Sequence, residues 1–99
     1  MTKISHGNTQ VWTITNKIEW QDCLEEVVVV PDGTKLLLDV RPAGNGQILP
    51  LINLAHGVME RGGKIGIVDP TNSWRELRAM QISNLLPVFP STEIALMSL

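Results

Sequence analysis

The sequence is poor in cysteine, in charged residues and in long apolar runs. The single cysteine, Cys23, excludes an internal disulfide and a thiol-rich metal site. No apolar run approaches the roughly 18 residues that cross a membrane as a helix, and the N-terminus MTKISHGNTQ lacks the apolar core of a signal peptide. We therefore expect a cytoplasmic protein that does not insert into a membrane.

Charge of either sign is sparse and scattered. Charged residues make up 18% of the chain, and the net charge is −2. The 8 Lys and Arg residues form no basic stripe, so binding to nucleic acid or to an anionic membrane is not expected. With 99 residues, of which 43% are hydrophobic, the chain predicts one soluble domain spanning residues 1–99.

No group of residues typical of catalysis or metal binding stands out. The only histidines are His6 and His56, too few ligands for a metal site. Asp39 and Asp69 follow predicted strands, where capping aspartates are commoner than an acid–base or metal pair. Cys23 falls on an apolar helical face and is interpreted as a core residue. We predict no enzymatic activity, no metal and no cofactor.

The chain does contain a strand–loop–helix unit between residues 35 and 63. An apolar run at residues 36–38 leads into a small-residue loop at residues 42–46, and Gly62 follows the helix. Loops of this kind, at the carboxyl end of a strand, are where α/β proteins usually keep their sites. The apolar positions of the helix recur at the spacing of one helical face; they are Ile48, Leu51, Ile52, Ala55, Val58 and Met59.

The flanking segments predict further strands and helices. Residues 2–5 and 10–14 are predicted as a hairpin, residues 64–68 as a buried strand, residues 73–82 as a helix capped by Ser73, and residues 86–89 as a short extended piece before a last helix. The order β-β-α-β-α-β-α-β-α predicts an α/β sandwich. We expect a mixed, mostly parallel sheet of four to five strands with about four helices.

One stretch, residues 18–29, allows two interpretations. Trp20, Cys23 and Val27 share a helical face, and Asn16 with Glu19 resembles a capping box. The four valines at residues 27–30, however, favour a strand that pairs with residues 36–40 across a turn. Helix and hairpin both remain open on this pattern.

Several runs after residue 35 come in the order seen in STAS domains. LLLDV precedes the amphipathic helix, ERGGKIGIVDP follows it, and SWREL, LLPVFP and STEIALMSL come next. On these residues the chain resembles the anti-sigma-factor antagonists, whose domain is shared with sulfate transporters. The resemblance covers residues 35–99 well, and residues 2–30 only in the order of elements. It implies a single STAS-like domain, and it favours the helix at residues 18–29.

The resemblance also implies a partner-binding loop before the central helix. In the family this loop reads Asp-Ser-Ser-Gly or Asp-Thr-Ser-Gly, and a partner kinase phosphorylates its hydroxyl residue to switch binding. Counting back from the helix end places the motif at residues 44–47 or one residue earlier, and neither alignment supplies a hydroxyl. Asn45 then stands at the phosphorylation-equivalent position. The expected module lacks the family's switch but keeps its docking surface.

The predicted partner-binding residues surround this loop. Trp74 is predicted either to pack as a lid on the sheet edge or to stand as an exposed anchor. Leu49 and Leu54 fall outside the apolar stripe and extend the surface unless a neighbouring helix covers them. The loop itself is also explained by a flexible turn with positive φ at glycine or asparagine. The predicted partner-binding set is Gly44, Asn45, Gly46, Gln47, Leu49 and Trp74.

The predicted function is that of a non-enzymatic interaction module in the bacterial cytoplasm. By resemblance, its partner is an anti-sigma factor or a serine-kinase-type regulator. The alternatives are a small-ligand or anion sensor that uses the helix N-terminus at Gly46, and a scaffold subunit of a transport complex. Modification of another hydroxyl, at Thr71 or Ser73, stays open, although Ser73 is explained as a cap.

Overall fold

One mixed sheet runs through the described part of the chain. The computed structural model describes residues 1–70, 74, 77 and 86–99. Within them the sheet has the strand order β1-β2-β3-β4-β5; β1 is antiparallel to β2, and the other neighbours are parallel. This confirms the predicted α/β class and the mixed, mostly parallel sheet. The strands are β1 (Thr2–His6), β2 (Thr9–Ile14), β3 (Lys35–Val40), β4 (Lys64–Val68) and β5 (Val88–Phe89).

Three α-helices are seen among the described residues, where about four were predicted for the whole chain. They are α1 (Lys17–Val27), α2 (Ile48–Glu60) and α3 (Thr92–Ser98). The helix predicted over residues 73–82 lies, apart from Trp74 and Leu77, outside the described residues. None of the described helices is long and apolar enough to cross a membrane.

Helix α1 decides between the two interpretations of residues 18–29. The Asn16 side chain accepts the N–H of Glu19 at 2.8 Å, and the Glu19 carboxylate accepts the N–H of Thr15 at 2.8 Å. The cap is therefore formed, with its reciprocal bond one residue earlier than in a standard capping box. The rival hairpin is wrong, because β3 is flanked by β2 and β4, both parallel to it.

The sheet separates a large core from a small one. Alternation along β3 sends Leu36 and Leu38 toward α1 and α2, and Leu37 toward α3. The larger side holds most of the buried apolar residues, and the smaller side is covered by the seven residues of α3. Helices α1 and α2 therefore share one face of the sheet, and the cleft between them lies on that face.

Helix α2 follows the predicted apolar stripe closely. Ile48, Leu51, Ala55 and Val58 are buried, as predicted. Met59, the last residue of the predicted stripe, differs from the others because it is 38% exposed. The helix stops after Glu60, where the chain turns through Gly62 at a φ of 80°, and this left-handed conformation favours glycine.

Candidate functional site

The loop between β3 and α2 is a defined turn. Residues Pro42–Gly44 form one turn of 3-10 helix, closed by the Gly44 N–H donating to the Arg41 carbonyl at 2.8 Å. Asn45 follows in an extended conformation, with φ −61° and ψ 120°. The predicted positive φ at glycine or asparagine is wrong here, because Gly7, Gly33 and Gly62 are the described glycines with positive φ.

Close packing explains the two glycines of this loop instead. A Cβ on Gly44 would lie 2.9 Å from the carbonyl oxygen of Ile14, at the end of β2. A Cβ on Gly46 would overlap Cδ1 and Nε1 of the Trp20 indole on α1. Backbone at both positions thus approaches its neighbours more closely than any side chain would allow. The glycines fix the loop against β2 and α1.

Two tryptophans support the loop from inside. The rings of Trp20 and Trp74 meet edge to face, with centroids 5.2 Å apart and planes at 79°. Trp74 is only 3% exposed, and its backbone N–H donates to Oδ2 of Asp69 at 3.2 Å. Of the two predicted roles, Trp74 therefore fills the packing one and offers no exposed anchor. The sequence pattern predicts that Trp20 lies on the apolar face of a helix, but it does not predict the contact of Trp20 with the loop.

The predicted loop residues differ in how they meet solvent. Gly44 is buried, Asn45 and Gly46 are half-buried, and Gln47 is exposed. Leu49, in the first turn of α2, is 61% exposed. We call Asn45, Gly46, Gln47 and Leu49 the loop surface. Leu54 is half-buried against the large core and does not extend this surface; Thr71 and Ser73 lie outside the described residues.

A cleft opens beside the loop, between α1 and the start of α2. Its volume is about 380 Å³, within the range of small-molecule pockets. Trp20, Leu24 and Pro50 give it an apolar part, and Lys17 supplies its charge. The remaining lining residues are three with amide side chains and one glycine: Gln21, Asn45, Gln47 and Gly46.

The N-terminus of α2 is a poor cradle for an anion. Its first turn reads Ile48, Leu49, Pro50, and proline has no N–H to donate. Gln47 occupies the cap position and makes no side-chain capping bond. One of the donors that an anion would use at a helix N-terminus is therefore missing.

The two strand-end aspartates do not form a joint site. Asp39 lies two residues after Leu37 in β3 and so shares its face, the α3 side, where its carboxylate pairs with Arg41 at 3.3 Å. The Asp69 carboxylate accepts a hydrogen bond from the backbone N–H of Trp74, a residue of the large core on the opposite side. The sheet thus stands between them, and no cluster of metal-ligating residues exists within the described ranges 1–70, 74, 77 and 86–99.

Cys23 is a core residue, as predicted, and neither histidine is buried. Cys23 is fully buried in the large core. Burial, helped by the negative charge of Glu26, raises the pKa of its thiol to about 12, so it is protonated at neutral pH. His6 and His56 are both exposed.

Comparison of the sequence with protein-family models yields no match, and comparison with curated proteins yields no significant similarity. The STAS resemblance therefore stays a prediction that depends on the residues quoted above and on the element order.

Proposed function

We propose that this chain is a non-enzymatic protein-interaction module, resembling anti-sigma-factor antagonists, that binds a regulatory protein partner through the loop surface. The partner is an anti-sigma factor or a serine-kinase-type regulator in a bacterial cytoplasm. A scaffold role in a transport complex would use the same surface. The support comes from the shape and chemistry of α2 and the loop that precedes it.

The observation that carries this proposal is the lack of charge on α2. From Ile48 to Met59 the helix contains no Asp, Glu, Lys or Arg, although the solvent face of a surface helix is ordinarily polar or charged. Leu49 and Met59 are 61% and 38% exposed on it. Charged residues are depleted at the centres of protein interfaces, so such a face suits a protein partner.

The loop is also ready to dock without rearrangement. Gly44 and Gly46 hold it against Ile14 and Trp20, so little conformational entropy is lost when a partner binds. Residues 41–60 contain no Ser, Thr or Tyr. The loop surface therefore keeps one electrostatic state, and any switch of binding lies in the partner.

Two matched variants test this proposal. Asn45→Asp adds a negative charge to the loop surface, and Asn8→Asp adds the same charge at an exposed position in the β1–β2 turn, away from the loop and from α2. We expect affinity purification from the native cell, followed by mass spectrometry, to recover a partner with Asn8→Asp and to lose it with Asn45→Asp. Equal recovery with both variants would argue against the loop surface.

The cleft of about 380 Å³ supports the second candidate, a small-ligand or anion sensor. Lys17 would supply the positive charge, whereas Pro50 removes a helix donor. Native mass spectrometry of the purified chain separates the two proposals. A bound molecule of definite mass, lost in Lys17→Ala, would favour the sensor.

A further inference from the structure

Strand β1 forms an open edge of the sheet. Among the described residues it pairs with β2 on one side only, and all five of its residues are exposed. The turn that joins the two strands has two residues, Gly7 and Asn8, so His6 and Thr9 flank it as the first pair. In such a hairpin the pair next to the turn is hydrogen-bonded, and hydrogen-bonded and non-hydrogen-bonded pairs then alternate along the strands. Lys3 and Ser5 belong to non-hydrogen-bonded pairs, so their backbone N–H and C=O groups face outward.

The charge that would protect this edge is turned away from it. Lysine on an edge strand ordinarily discourages pairing with another strand. Here the Lys3 ammonium lies 2.9 Å from Oε2 of Glu26 on α1 and 4.6 Å from the centroid of the Trp12 ring. Both contacts hold the side chain on the helix side of the sheet. Strand β1 contains no other Lys, Arg, Asp or Glu.

An apolar side chain occupies the middle of the same edge. Ile4 is 52% exposed and lies beside Val11 of β2, on the side of the sheet opposite α1. Met1 packs back against the large core and so does not extend the strand past Thr2. Thr2 and His6 flank Ile4 on its own face. Nothing among the described residues covers this strand.

We propose that β1 pairs with β1 of a second copy of this chain, antiparallel and about a two-fold axis at Ile4. Lys3 then lies opposite Ser5 of the second copy, and the outward N–H and C=O groups of these two residues bond each other. Ile4 meets Ile4 at the axis as the non-bonded, closer pair. The lysines stay paired with Glu26, so no like charges face each other.

The expected dimer is weak, because each copy contributes one five-residue strand to the contact, and small interfaces are typical of transient association. The register is nonetheless self-complementary, as a two-fold interface requires. This pairing concerns the β1 edge and does not depend on the proposed function of the loop surface.

Sedimentation velocity over a concentration series tests the proposal, with three variants. Ile4→Lys adds charge at the axis, and Ser5→Pro removes an outward N–H that β2 does not use. Ile18→Lys is the matched control, because Ile18 is 76% exposed on α1. We expect the mass to rise toward twice that of the monomer for the wild type and for Ile18→Lys, and to stay monomeric for the two edge variants, with unchanged circular dichroism.

Hydrogen exchange gives a second readout on the wild type. The Lys3 and Ser5 amides should exchange more slowly as the protein concentration rises, because pairing with the second copy protects them. A wild-type chain that stays monomeric up to about 1 mM, or edge variants that dimerise as the wild type does, would overturn the proposal. Growth beyond the dimer would do so as well.

Discussion

Gly46, before helix α2, lies directly against the indole of Trp20 on α1, with no room between them for a side chain. A Cβ at position 46 would overlap Cδ1 and Nε1 of that ring. This contact fixes the loop surface to the rest of the molecule, because Trp20 is itself held by Trp74.

The first prediction concerns this contact. Gly46→Ala should lower the free energy of unfolding by about 1–3 kcal/mol, the usual cost of overpacking a filled site. Gly57→Ala is the control, since a Cβ added there, in the interior of α2, would have no neighbour within 4 Å. There alanine should stabilise the protein by roughly 0.5–1 kcal/mol. Urea unfolding of both variants measures the difference, and a neutral Gly46→Ala would contradict the packing argument.

The Cys23 thiol should be unreactive toward alkylating reagents in the folded protein. Its pKa of about 12, raised mainly by burial, leaves about one thiol in 10,000 as the reactive thiolate at pH 8. Alkylation by iodoacetamide at pH 8 should therefore be at least ~100-fold slower than in strong denaturant. Comparable rates in the two conditions would show that the thiol is accessible.

Glu19 should make stability depend on pH under acid conditions. Hydrogen bonds from the N-terminal ammonium, then from the Thr15 hydroxyl and N–H, lower its pKa from 4.5 to about 2. The unfolded chain therefore binds the proton first, so the stabilisation is complete above pH 4.5 and is lost as the pH falls through about 2.

Urea unfolding of the wild type and of Glu19→Gln, between pH 2 and 6, measures this effect. The difference in unfolding free energy between them should be constant near pH 6 and should shrink toward pH 2. Because glutamine does not titrate, the Glu19→Gln variant reports the effect of acid on the rest of the protein and so serves as the control for the wild type. A difference that is the same at every pH would contradict the assignment.

Local sequence patterns predicted most of the fold. The Asn16 cap, the period of α2 and the hairpin of β1 with β2 all depend on neighbours within a few residues, and all are present. The valines at residues 27–30 favour a strand by their β propensity, and this prediction is wrong for Val27. Val27 ends α1 and packs on the helical face that it shares with Trp20 and Cys23, which outweighs the propensity.

The candidate site was predicted less completely, because its decisive contacts join distant parts of the chain. Position 46 meets position 20, and position 20 meets position 74. No periodicity within a segment reports such contacts. The two glycines that flank Asn45 are visible in the sequence, where they indicate backbone freedom. In the structure their cause is close packing against Ile14 and Trp20.

The most direct test of the central claim is site-specific photo-crosslinking in the native cell. A photoreactive residue replaces Gln47 on the loop surface, or Ile18 on the outer face of α1 as the control; both positions are exposed. We predict that one protein is crosslinked from position 47, that Leu49→Lys abolishes this product, and that position 18 does not yield it. The same product from both positions, or one that survives Leu49→Lys, would contradict the claim that the loop surface binds a protein partner.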